Sequence, residues 1–157
     1  MKREILFRGK RIDNSEWIEG YFYEECGATY IIEDRQKETM LNRNTPYKVL
    51  PETVGQFTGF YAQNKKSNLN SRIFEDDIFR GFNANDEEVY YVVMWIVQRG
   101  AFYMVPIEHY EIIKNHNVSE ETEFSWLFDD ALLYDFSLSV VLTKVGNIHD
   151  NPESINT

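Results

Sequence analysis

The densest run of chemically capable side chains is Glu75-Asp76-Asp77, three carboxylates between the apolar residues Phe74 and Ile78. Clustered carboxylates can hold Mg²⁺ or Ca²⁺ through their oxygens. Adjacent residues of a strand point to opposite faces, so at most two of the three can converge. One reading is therefore a small enzyme with an acidic metal site near Asp76 and Asp77. The plainer reading is a polar turn in which Asp77 bonds nearby backbone amides. His109, His116 and His149 lie far apart and show no metal-binding spacing. His149, within Gly146-Asn147-Ile148-His149-Asp150-Asn151-Pro152, could act as a base oriented by Asp150, or simply fill an aromatic slot beside a terminal turn. Cys26 follows Glu24-Glu25, whose negative charge suppresses the thiolate. The sequence has no nucleophile elbow, no glycine-rich phosphate loop and no cysteine pair spaced for zinc. No catalytic residue, metal ligand or cofactor is assigned on these grounds, and the balance leans away from an enzyme.

A second kind of chemistry is electrostatic. Lys2, Arg3, Arg8, Lys10 and Arg11 crowd the first eleven residues against the single acid Glu4. Tyr21, Tyr23, Phe57 and Phe60 could stack bases beside such a patch, as in single-strand binders. The net charge of −10 argues the other way, because the usual footprint of a nucleic-acid binder is a basic domain. Basic and acidic side chains balance over residues 1–80, so the whole excess belongs to residues 81–157. That half should repel bare phosphate and favour a basic protein surface. In the bland alternative, Phe7, Trp17, Tyr21 and Phe57 are core residues and the arginines pair with local acids.

These residues must be held by elements, and the elements read as strands. Aromatics make up 15% of the 157 residues, and large rings suit strands better than disordered tails. The pattern predicts strands over Ile5 to Arg8, Glu16 to Tyr23 and Ala28 to Glu33, with Cys26-Gly27 in the turn between the last two. Asp34 to Asn44 reads as loop. Pro46 and Pro51 confine Tyr47 to Leu50 to a short edge strand. Val54 to Phe60 alternates with glycines, which marks a bulge or a close backbone approach. Ala62 to Ser71 reads as an exposed loop. Ile73 to Arg80 returns to the core around the acidic turn, with Phe74 and Ile78 inward. The clearest hairpin joins Glu88 to Val97 with Ala101 to Val105 through Gln98-Arg99-Gly100. Its first strand is apolar on both faces, so it is either central and covered twice or meets another subunit. Ile107 to Asn115 is a helical turn or an extension. Ser119 to Phe136 has helical spacing, and Ser139 to Gly146 reads as a late strand. The tail beyond about residue 152 is polar and should fray. The fold class is mainly β, with an α+β alternative: one barrel-like domain over residues 1–157, with one or two helices in the C-terminal half.

No stretch approaches the roughly 18 consecutive apolar residues of a membrane helix. The start of the chain is too short in apolar residues for a signal peptide. A lone cysteine suits a reducing compartment. A cytoplasmic location is expected.

Three segments carry a family resemblance. They are Arg3-Glu4-Ile5-Leu6-Phe7-Arg8-Gly9, then Thr53 to Phe60 followed by Ile73-Phe74-Glu75-Asp76-Asp77-Ile78, and finally Val145 to Glu153. In order and spacing they resemble the YopX proteins of phages and prophages. One departure stands out: the family has Gly where this chain has Asp76, a residue that tolerates left-handed backbone better than most. The resemblance implies a mainly β fold, an origin in mobile DNA within a bacterial host, and self-association. It implies no catalytic residue. The leading expectation is a non-enzymatic binding or self-assembling module that meets its own copies, or a host or phage protein, through exposed aromatics such as Trp95 and Phe102. The alternative is an accessory protein of phage DNA replication or modification that contacts nucleic acid through Arg3, Arg8, Lys10 and Arg11.

Overall fold

A computed structural model describes residues 4–33, 45–62, 71–115, 134–136 and 141–155. The chain divides into two compact units, Met1–Gly59 and Phe60–Thr157. Among the described residues the fold is mainly β, in antiparallel sheets with one short helix and no closed barrel.

The first unit begins with β1 (Phe7–Lys10), β2 (Trp17–Glu25) and β3 (Ala28–Glu33). β4 (Pro46–Lys48) and β5 (Gly55–Tyr61) follow, and the sheet order is β4-β3-β2-β1-β5. The short β4 lies at the edge, where a strand opened by proline belongs. β2 forms because its side chains alternate: Ile18 and Gly20 are buried, while Trp17 and Glu19 are only partly so. Ile18, Ile31 and Val49 build the core, with Phe7, Tyr47 and Val54 packed against them. Each fully buried aliphatic side chain contributes about 1.5–3 kcal/mol. Gly20 is required for packing: a Cβ there would collide with the Ile32 carbonyl oxygen. The β2–β3 hairpin turns at Cys26 (φ 52°) and Gly27 (φ 74°), both left-handed, as the right-handed twist of the flanking strands demands.

The second unit holds β6 (Arg72–Phe74), β7 (Asp77–Phe82), β8 (Glu88–Ile96), β9 (Ala101–Pro106) and β10 (Thr143–Asn147). Four of these form a sheet in the order β10-β7-β8-β9. β8 is central and covered on both faces. Val92, Met94 and Ile96 join Ile78, Val105, Tyr110 and Ile148 on one side. Val93 joins Phe79, Met104, Phe136 and Leu142 on the other. This decides between the two readings of its doubly apolar sequence: for most of its length, β8 is buried by its own unit. The hairpin register pairs Trp95 with Phe102.

After β9 a 3-10 turn, Ile107–His109, runs into the helix α1 (Tyr110–Asn115), so this segment is helical rather than extended. The helix expected over Ser119 to Phe136 falls largely outside the described residues, and its end is corrected. Tyr134 is not helical: it forms a β-bridge with Met104, N–H to carbonyl in both directions at 2.8 and 3.1 Å. Backbone pairing along the outer side of β9 outweighs the local helical spacing there. The late strand is β10, with a bulge between Lys144 and Gly146. A 3-10 turn, Pro152–Ile155, follows it. The expected loops fall mostly on residues 34–44 and 63–70, outside the described residues.

Candidate functional site

The acidic run sits where the chain passes from β6 to β7. Asp76 adopts φ 66°, the left-handed conformation glycine would take most easily, and aspartate is among the few other residues that visit it. Its backbone N–H donates to the Val93 carbonyl at 2.8 Å, and its carbonyl accepts from Ile148 N–H at 3.1 Å. Its carboxylate lies 3.0 Å from His149 Nε2. Both side chains are mostly buried, 20% and 15% exposed. Thus the turn of the middle motif and the closing motif are fastened together by backbone and side chain at once.

Asp77 points elsewhere. It is fully buried and accepts from the Phe74 backbone N–H at 2.8 Å. It also pairs with Lys144 Nζ at 2.6 Å. Lys144 in turn donates to the Arg72 carbonyl at 2.9 Å. A buried carboxylate survives only with such compensation. Opposite it in the sheet, Asn147 closes the turn after β10. Its Oδ1 accepts from the backbone N–H groups of His149 and Asp150, each at 3.0 Å. Its Nδ2 donates to the Asp150 carboxylate at 2.9 Å. Tyr110 is buried nearby. Burial first, then the negative charges of Asp76, Glu111 and Glu75, push its phenol well above its ordinary pKa. Lys114 Nζ donates to that phenol oxygen at 3.1 Å.

Chemically, this cluster ties segments together. The carboxylates of Asp76 and Asp77 diverge to different partners. Among the described residues, no group of three or more His, Cys, Asp or Glu could hold a metal ion. The carboxylate found on the His149 ring is that of Asp76, 73 positions away, where the sequence offered the neighbouring Asp150.

The other residues singled out from sequence fall in two places. Arg3 lies outside the described residues. Arg8 is buried, with its guanidinium 4.9 Å from the centre of the Trp17 ring. Lys10 Nζ lies 6.0 Å from the same ring. Arg11 sits 4.1 Å over Tyr47 and donates to Asp13 at 2.9 Å. That hydrogen bond holds the Asp13 carboxyl below its usual pKa. These three cations belong to the first unit. In the second unit, Trp95 is 40% exposed and meets Phe102 edge-on, ring centres 4.9 Å apart. Lys144, Asn147 and Tyr110 escaped sequence reasoning. Lys144 left a signal, since residues 81–157 carry only Arg99, Lys114 and Lys144 as cations against many acids.

Fold and cluster together define a mainly β protein whose middle and closing motifs are sewn to each other. The model of the YopX protein family matches residues 6–156. The chain belongs to that family, a phage-type one. No curated protein matches the sequence. No helix among the described residues is long and apolar enough to cross a membrane.

Proposed function

We propose that this chain is a non-enzymatic binding module of a phage or prophage, and that it self-associates through the aromatic corner at the end of the β8–β9 hairpin. The observation that supports this is Trp95. It lies 40% exposed on a strand whose residues Val92, Val93, Met94 and Ile96 are all buried. Val97, just beyond, is 57% exposed. Tryptophan is enriched among the residues that dominate interface energetics, because a large rigid ring gains much on burial. The Asp76–His149 and Asp77–Lys144 pairs favour a scaffold over a catalytic centre, since each is engaged in holding segments together.

Size-exclusion chromatography with light scattering tests the reading. The wild-type chain is expected to elute as a homo-oligomer whose mass falls toward that of the monomer on dilution. Trp95→Ala is expected to shift dissociation to at least tenfold higher concentration, the loss of about 1.4 kcal/mol or more that marks an interface anchor. A wild-type monomer at all concentrations removes the idea.

A further inference from the structure

The outer face of the first unit's sheet carries an arrangement distinct from the Trp95 corner. Strand alternation and register place Trp17, Tyr21 and Tyr23 of β2 on one face. Tyr30 lies directly opposite Tyr23, and Lys48 directly opposite Tyr30. Lys10 lies directly opposite Trp17. This is the face away from the core built by Ile18, Ile31 and Val49. Four aromatic rings therefore lie on two neighbouring strands, β2 and β3, with a lysine on the strand at either side, Lys10 on β1 and Lys48 on β4. The Tyr23 and Tyr30 rings stack with centres 5.2 Å apart and planes 16° apart. Tyr21 is 47% exposed, and Lys48 is exposed as well.

We infer that this face is a platform for single-stranded nucleic acid, with bases stacking on the tyrosines and phosphates meeting Lys10 and Lys48. Aromatic faces take any base, and flanking cations track the backbone. The inference differs from a role for the basic N-terminal segment itself. Arg8 is buried against Trp17, and Arg11 is tied to Asp13 and Tyr47, so neither offers a free phosphate contact. The first unit itself carries nearly equal numbers of acids and bases, so the excess of acids lies outside it. Two acids, Glu19 and Glu25, share the face by alternation and set an upper limit on affinity. They predict a weak, sequence-tolerant site.

Fluorescence anisotropy of labelled oligo(dT) and oligo(U) at low salt tests the platform on the full chain. Saturable binding is expected to weaken with salt, with a log–log slope of about −0.7 per phosphate contact. Lys48→Gln is expected to lower that slope by about 0.7. Tyr21→Ala is expected to weaken binding about five- to a hundredfold, the range for one lost stacking partner. Tyr21→Phe keeps the ring and should restore affinity. Because Tyr21 is exposed, its substitution leaves the fold intact, and Val141→Ser, at a position of the second unit that is exposed, serves as a control that leaves binding unchanged. No binding at low salt overturns the inference, as does binding that Tyr21→Ala does not weaken. Equal affinity for both oligomers assigns recognition to base stacking; preference for oligo(U) adds a contact to the ribose hydroxyl.

Discussion

Two turns in this protein perform the same backbone task in opposite ways. Cys26-Gly27 and Asp76 both require left-handed dihedrals. The first turn stands clear of the structure: Cys26 is exposed, and a Cβ at Gly27 would meet nothing within 4 Å. The second is joined to β8, to β10 and to the segment after β10 by backbone and side-chain bonds. A hairpin turn need only reverse the chain. The Glu75–Asp76 turn also holds distant segments, and aspartate suits that position because it tolerates the conformation and supplies a carboxylate.

The contrast can be broken by mutation. Asp77→Ala should have the largest effect, about 3–5 kcal/mol in urea unfolding, because it removes the buried carboxylate that holds both Lys144 and the Phe74 N–H. A loss below about 1 kcal/mol would show that the pair is merely tolerated. Tyr110 gives a graded test of the same region. Its folded-state pKa is raised above the ordinary 10.0, so the folded chain keeps a proton that the unfolded chain releases. Stability is therefore full below that pH and falls as pH rises past it. Tyr110→Phe should flatten the alkaline slope of melting temperature, and an unchanged slope would assign it to other groups.

Asp76→Ala should cost about 1–2 kcal/mol, losing both conformational tolerance and the His149 contact. Asp76→Gly relieves the backbone while losing the same contact, so it should lie within about 1 kcal/mol of wild type. If glycine proves as costly as alanine, the His149 pair outweighs the dihedral. The smallest effect is expected at Cys26→Asn, a gain of up to about 1 kcal/mol, because asparagine before glycine fits this turn and the position is exposed.

Local features of the fold were legible in the sequence. β2 follows from side-chain alternation and aromatic content, β8 from a run of β-branched and aromatic residues, the first hairpin from Cys26-Gly27, and the edge position of β4 from its flanking prolines. The left-handed turn at Asp76 was also legible, since few residues tolerate it. What stayed hidden is distant in sequence. Nothing near His149 announces Asp76 as its partner, and nothing near Asp77 announces Lys144. Tyr134 has helical spacing, yet it bonds to Met104 because an outer strand offers unpaired backbone groups that helix propensity cannot match. The neighbours of the basic N-terminal residues were likewise set by register: Trp17 lies opposite Lys10 only once β1 and β2 pair.

The bridge between Met104 and Tyr134 has a further consequence for crowding inside a cell. An outermost strand with free amides and carbonyls invites any extended peptide to dock and propagate. With the middle of β9 already taken by the chain's own backbone, strand-to-strand stacking of copies along that rim is blocked at its centre.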